Sequence, residues 1–427
     1  MIENAEWTPK IKKYLHFDAP ISQREALKLV KNKSKIKKHS FFPFLSVTVV
    51  TSKTEGKKKN FERKRKERII SYASHVDSHI YSYYNYLLSS LYESKVHEYK
   101  IHTNAIAFRK LGGKCNIHFA KDAFQGIKEL SPCVALVFDV KGFFDNIDHA
   151  ILKHAWCEVL SVDKLPEDYY AIFKSLTRYS YGNRDAIFKH CNITKNSKKN
   201  GLKRICDIKF FRNNLRKDFI IRHKESYGIP QGSPISGLLS NIYMMSFDKA
   251  IVRSAEKLNA KYYRYCDDIL IICKVEDKLL FFNMVHDLLA KLKLKTNSKD
   301  QTVLFDCESP ISKCSQPLQY LGFIFDGQQV CIRSSSHMRC LSRMRQAVSL
   351  AKQTQRKYNK IRLRKGLQTK AVYRKKLYSR YSYLGKRNYI TYAHRAAKIF
   401  DERAIKRQVR PLWGYLRELI KGEDTKG

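Results

Sequence analysis

Along the chain the spacing of apolar positions changes period several times, and each change marks an element. FFPFLSVTVVTSK (41–53) is β-branched and bounded by polar residues, and ERIISYAS (67–74) is a second short strand. The TEGKKKNFERKRK between them reads as a hairpin tip, so the three together make a basic ribbon. Upstream, residues 1–40 are expected to hold one or two short basic helices; in ISQREAL a serine N-cap, Ser22, precedes Glu25 by three positions. HVDSHIYSYYNYLLSSLYESKV (75–96) carries tyrosines and leucines at spacings of three and four, a helix whose stripe suits a core better than a base-stacking surface. VALVFDV (134–140) reads as a buried strand that ends at Asp139 and turns into a helix. GIPQGSPISGLLSNIYMMSFDKAI (228–251) is a Gly- and Pro-bearing loop feeding a helix. KYYRYCDDILIIC (261–273) is a hairpin with two acids at its turn. DKLLFFNMVHDLLAKLKL (277–294) is an amphipathic helix, and LQYLGFIFDGQQVCI (318–332) is another hairpin. Between them, 178–226 is polar, basic and without clear period, expected as an insertion or a nucleic-acid-facing arm. Strands and helices mix in an α+β order.

Charge sharpens this picture. The 427 residues suffice for two or three packed units, but the formal charge is +44, with 83 Lys and Arg against 39 Asp and Glu. Such an excess repels itself unless a polyanion neutralises it, and 26 Tyr and 23 Phe supply stacking faces beside the cations. A long nucleic acid is the natural partner. After residue 335 there are 26 Lys and Arg against 5 Asp and Glu in strongly helical text, which reads as a separate, helical domain that grips nucleic acid. The 11 cysteines show no CxxC spacing, there is no charged-then-apolar leader, and no apolar run nears the roughly 20 residues that span a bilayer. A cytoplasmic protein with reduced thiols and no membrane partner is expected.

Two adjacent carboxylates, Asp267 and Asp268, ahead of a buried strand repel each other, and burying either without a partner is costly. If their strand neighbours the one ending at Asp139, the three acids converge on hard divalent cations. Mg²⁺ fits best, as two ions about 3.5–4 Å apart that serve an in-line displacement.

Three strings in order, FDVKGFFD (138–145), GIPQGSPISGLLSN (228–241) and YCDD (265–268), resemble the palm of reverse transcriptases, and the resemblance covers roughly residues 60–335. It implies a right-hand polymerase: fingers at 41–130, palm at 131–335 including the 178–226 insertion, an N-terminal extension at 1–40, and a helical, basic, RNA-binding thumb at 336–427. It also implies that Asp139, Asp267 and Asp268 are the catalytic, metal-binding acids, with Val140 offering a backbone carbonyl and Mn²⁺ a possible substitute for Mg²⁺. Phe144 matches the aromatic gate that clashes with a ribose 2′-OH; the other reading is that Phe143 or Phe144 is simply core. Gln231 matches the glutamine beside the incoming nucleotide, with Gly228 and Gly232 allowing close backbone approach. KRKERII resembles the fingers segment that holds the triphosphate, making Arg68 the matching cation with Lys64 or Lys66 beside it; a nuclear-localisation-like run is the rival reading of these lysines. NAIAFRKLGGKCNIHFA resembles the later fingers, with Lys114-Cys115 replacing the usual serine, and LQYLGFIF the primer-gripping hairpin. LKLKTNSKDQT departs from the family's N-x-x-K-T, placing Asp300 where the lysine stands, which argues against Lys299 as a general acid.

HVDSHIYSYYNYLL, GKCNIHFAKDAF and LYSRYSYLGKRNYITYAHRA resemble the bacterial unknown-group, defence-associated reverse transcriptases, closest to class 2. That resemblance implies copying of a bound, structured noncoding RNA into cDNA from dNTPs in antiphage defence; the charge of the helical C-terminal region suggests that it holds the RNA through phosphate contacts, with Tyr383, Arg387, Tyr389 and Arg395 as candidate contacts. A group II maturase-like RNA binder, and a palm polymerase with untemplated or ribonucleotide activity, remain the alternatives.

Overall fold

The computed structural model describes residues 6–55, 62–194, 197, 201–297, 300–306 and 313–422. Its strands are β1 (Phe44–Glu55), β2 (Glu62–Tyr72), β3 (Cys133–Asp139), β4 (Ser180–Asn183), β5 (Ile221–Arg222), β6 (Lys261–Tyr265), β7 (Asp268–Cys273), β8 (Gln301–Asp306), β9 (Lys313–Cys314), β10 (Leu318–Tyr320), β11 (Phe323–Phe325) and β12 (Val330–Ile332). They form three sheets, ordered β2-β1-β4-β5, β6-β7-β3-β8-β9 and β10-β11-β12. Helices surround them in a mixed α+β arrangement.

The middle sheet organises the molecule. Its central strand β3 is apolar at nearly every position because both faces are covered, and side chains alternate between two cores. Val134, Leu136 and Phe138 enter a core built with the helices His75–Glu98, Ser236–Tyr243, Met245–Lys257 and Lys278–Lys291. Cys133 and Ala135 enter a second core, shared with the helix Asn116–Leu130 and the C-terminal helices. The tyrosine stripe of His75–Glu98 is core as its spacing indicated, with Tyr81, Tyr84 and Tyr92 buried.

The structure departs from the expected segmentation in three places. The segment 178–226 is not an insertion appended to the palm. Its β4 pairs in parallel with β1 at Phe44–Ser46, β5 follows β4, and Ile187, Ile205, Phe211 and Leu215 share a small core with Leu15, Phe17 and Leu45. It therefore belongs with the basic ribbon. The N-terminal residues are tied into the same region, since Asp18 accepts the backbone N–H groups of His75 and Val76 at 2.9 and 2.8 Å. Third, the C-terminal helices are not separate: Ile390, Ala393, Ala396 and Ala397 of helix Tyr389–Phe400 pack with Ala120, Phe124 and Phe323 behind the middle sheet. Deleting everything after 335 would strip one face of that sheet, so the C-terminal helices are part of the palm's packing and not an independent domain.

His16 gives this region a pH dependence. It is fully buried, its Nδ1 accepts the Phe17 N–H at 2.9 Å, and burial, with His75 adding to it, depresses its pKa to about 3. The unfolded imidazole takes a proton below about pH 6.5 while the folded one does not, so stability falls as pH falls through that range. Going from pH 7 to 5 is expected to cost about 2 kcal/mol from this group alone, at 1.36 kcal/mol per pH unit. Thermal melts at the two pH values should show a drop that shrinks by about that amount in His16→Gln; an unchanged drop contradicts the assignment.

Candidate active site

Strand pairing brings the three acids together. In the β6–β7 hairpin Tyr265 pairs with Asp268, leaving Cys266 and Asp267 as the turn, with Cys266 in the left-handed region at φ +60°. Across the next ladder Asp268 stands directly opposite Asp139. The two-residue alternation puts both on the same sheet face, because Asp139 follows the parity of Cys133 and Ala135, and Asp268 that of Leu270 and Ile272. The Val140 N–H donates to the Asp267 carbonyl at 3.1 Å, pinning the turn to the end of β3.

The electrostatics follow from this crowding. Burial pushes the Asp268 carboxyl up to about 7, with the neighbouring Asp267 and Asp139 charges adding to the rise, while Arg333 and Arg68 oppose it. Asp267 is raised too, mainly by burial, with Asp139 raising and Arg68 lowering it. Arg68 on β2 is thus the cation of the ribbon whose field reaches the acids.

Three positioning residues here were not found by reading the sequence. Asn297 donates from its backbone N–H to the Asp139 carbonyl at 2.7 Å and from its side-chain amide to the Asp139 carboxylate at 2.6 Å. Arg333 leads from β12 into the helix Ser334–Arg364 and lines a cavity of about 330 Å³ with Asp268, Tyr265 and Asn116. Arg264, fully buried, grips Asp248 through both guanidinium arms at 2.7 and 2.5 Å and donates to the Cys266 carbonyl at 3.2 Å and to Asn241 at 3.1 Å. Tyr262 adds its hydroxyl to Asp248 at 2.6 Å. A buried, fully hydrogen-bonded ion pair therefore fixes the backbone one residue before Asp267.

The loop of Gln231 and Gly232 docks on the ribbon, as the Ser71 N–H donates to the Gln231 carbonyl at 2.8 Å. Gly232 has φ +120°, and a Cβ there would lie 2.6 Å from the Ser71 carbonyl oxygen, so close approach needs glycine. Gly228, at φ +88°, meets the Asp145 carbonyl in the same manner at 3.0 Å. Phe143 is buried core, whereas Phe144 is partly exposed, 5.6 Å from it between ring centroids, and its carbonyl accepts the Ile229 N–H at 2.9 Å. Lys66 is exposed on β2, but the side chain of Lys64, like the whole of Lys299, lies outside the described residues. Asp300 is held by the Thr296 hydroxyl at 2.8 Å and feels the Asp139 charge, so a fourth acid stands near the trio.

The donor set suits a hard cation, since three carboxylates, two of them held above their ordinary range by burial and mutual repulsion, gain most from one. Among the described residues no three acids, histidines or cysteines close into a ready ligand cluster. Magnesium asks for no such cage: it keeps its waters and is bound by one or two carboxylates with substrate phosphates.

The fold is that of a right-hand polymerase, with a palm sheet carrying acids at one end and a basic ribbon facing them. The family model described as reverse transcriptase (RNA-dependent DNA polymerase) matches residues 56–325, and the chain belongs to that family. A comparison with curated proteins found no match. Among solved structures, apo telomerase from Candida tropicalis overlays with a TM-score of 0.40 at 12% identity, over 73% of this chain and 52% of that one. Telomerase from Candida albicans in complex with a TWJ fragment of telomeric RNA overlays with a TM-score of 0.38 at 14% identity, over 73% and 48%. The chain spans about half the length of these proteins, and so loose an overlap bears on neither activity nor partner.

Among the described residues no helix is long and apolar enough to cross a membrane, and no two cysteines are joined in a disulfide.

Proposed function

We propose that the protein copies a bound, structured noncoding RNA into DNA, with Asp139, Asp267 and Asp268 as its metal-binding acids. The observation that carries this is the register pairing of Asp139 with Asp268 beside the Asp267 turn, in a chain of the reverse transcriptase family. Two Mg²⁺ ions, replaceable by Mn²⁺, would supply Lewis acidity at the attacking 3′-hydroxyl and the leaving pyrophosphate. Asp139, Asp267 and Asp268 would hold them, with the Val140 carbonyl as a further ligand. Arg68, with Lys64, draws in the triphosphate of the dNTP. The Gln231–Gly232 backbone bears on the base pair, and Phe144 stands against the sugar. In domain terms the fingers are residues 41–130 together with 178–226, the palm runs to 335, and the thumb follows.

The thumb is proposed to hold the RNA through phosphate contacts, with affinity falling steeply as salt rises. Of the four contact candidates, Tyr383, Arg387 and Arg395 are exposed, while Tyr389 is partly buried against the second core and contributes packing. The antiphage role rests on the sequence strings that resemble the defence-associated enzymes. A plaque assay with cells carrying the wild-type gene or its Asp267→Ala, Asp268→Ala form tests it, and equal plating on both would remove it.

Phe144 provides the test of product type. With wild-type protein, primer extension on RNA is expected from dNTPs and not from NTPs. In Phe144→Ala the preference should fall by roughly 10–100-fold, as steric rejection of a single hydroxyl is relaxed. An unchanged preference contradicts the gate, and extension by the wild type from NTPs alone contradicts a DNA product.

A further inference from the structure

A cavity lies away from the acids, in the C-terminal helices, and its lining has a distinct chemistry. It measures about 830 Å³, and among the described residues none that line it is acidic. Arg403, Lys406, Arg407 and Arg410 line it together. Their spacing of three, four and seven positions places them on one face of the helix Arg403–Val409 and the turn that continues it, since Arg410 keeps helical backbone angles. All four are exposed, and the ion pairs of the described residues include none of them.

The same cavity is also lined by an aromatic corner. Tyr383 and Trp413 meet edge to face at 5.5 Å between ring centroids. Trp413 is braced by Tyr378 at 5.1 Å and by the Arg417 guanidinium over its ring at 5.5 Å. Tyr383 is 56% exposed, a large aromatic left open beside a cavity. Ile390 and Val409 are buried in the floor.

From this geometry we infer that the cavity is a second nucleotide-binding site: a base enters against Tyr383 and Trp413 while its phosphate is held by the Arg403–Arg410 cationic face. Apolar, aromatic walls suit a base and not a bare phosphate, and four exposed cations outside any described ion pair suit a phosphate and not a neutral ring. The cavity has room for one such unit. The same chemistry is carried by an unpaired nucleotide of a bound single strand and by a free nucleotide. A base locked in a duplex cannot enter. The site deepens the proposed RNA-holding role of the thumb, which already includes Tyr383, and does not depend on the polymerase reading.

The test is photocrosslinking of the full-length protein to a short unstructured RNA containing one thiouridine, with peptide mapping, and with three competitors in excess: ribonucleoside triphosphate, unlabelled single strand, and duplex of the same sequence. The crosslink is expected at Tyr383 or Trp413. Competition by the single strand alone assigns a strand-borne base, and competition by the triphosphate as well assigns a free nucleotide. Lys406→Ala with Arg407→Ala, both on the exposed face, should weaken single-strand binding by roughly tenfold and spare the duplex. Crosslinks that map elsewhere overturn the inference. So does a duplex that competes as well as the single strand while the double variant weakens both alike, because the face is then a general cationic surface.

Discussion

Asp268→Asn is expected to abolish nucleotide incorporation and to make the protein more stable. The two effects share a cause. Burial and the charges of Asp267 and Asp139 hold the Asp268 carboxyl near pH 7 in the folded chain, against an ordinary 3.8. A carboxylate whose folded pKa is raised destabilises the fold progressively as pH rises from about 4 to 7, and the full cost is present above that range. The neutral, isosteric amide removes it, so the gain should be on the order of 1 kcal/mol or more at pH 8 without divalent metal, and should vanish by about pH 4. The amide also takes away an anionic oxygen proposed to hold the metals, and incorporation should fall at least about a thousandfold. Thermal melts in chelator at pH 8 and 4, with single-nucleotide incorporation at pH 8, check both halves. A variant that loses activity and is also destabilised at pH 8 would mean that Asp268 sits in the fold as a satisfied structural acid.

The second large effect concerns Arg264. Arg264→Met leaves the Asp248 carboxylate buried without its cation, which is expected to cost about 3–5 kcal/mol. Joining it with Asp248→Leu removes both charges and should return most of that stability, because a matched apolar pair of similar volume replaces a buried ion pair at little cost. Activity should not return with it. The guanidinium also donates to the Cys266 carbonyl, and without that bond the turn bearing Asp267 loses one of its anchors and leans on the Val140 N–H bond to the Asp267 carbonyl. Denaturant midpoints and kcat for the single and double variants separate the two roles. A double variant with wild-type kcat would show that Arg264 serves only to neutralise Asp248.

How far the site could be read from sequence depended on whether its signal was local. Asp139 and the Asp267–Asp268 pair are legible because each ends or begins an apolar run, and chemistry is the economical reason for acids there. Arg264 was missed although its signal was present. In KYYRY the alternation puts Tyr262 and Arg264 on the buried face and Lys261, Tyr263 and Tyr265 on the other, but a basic residue beside tyrosines in a chain of +44 reads as surface. Its partner Asp248 lies on a helix and gives no local hint. Asn297 sits in the polar stretch TNSKD, where one amide among polar neighbours carries no period or charge to set it apart. The strands β4 and β5 carry SYGN and IR, too short and polar to show a period, and they exist because β1 offers an edge for them. The C-terminal helices misled through composition. Their charge suggested independence, while Ala393, Ala396 and Ala397, at helical spacing, form the small-residue face that docks behind the palm sheet.

One measurement bears on the whole account: extension of a DNA primer annealed to RNA by the purified protein, with dNTPs, in Mg²⁺, in excess chelator, and in Mg²⁺ with Asp139→Asn. Template-length DNA in the first reaction and none in the other two is the result expected if the acids paired across β3 and β7 hold the catalytic metals. Extension that persists in Asp139→Asn at the wild-type rate would contradict it.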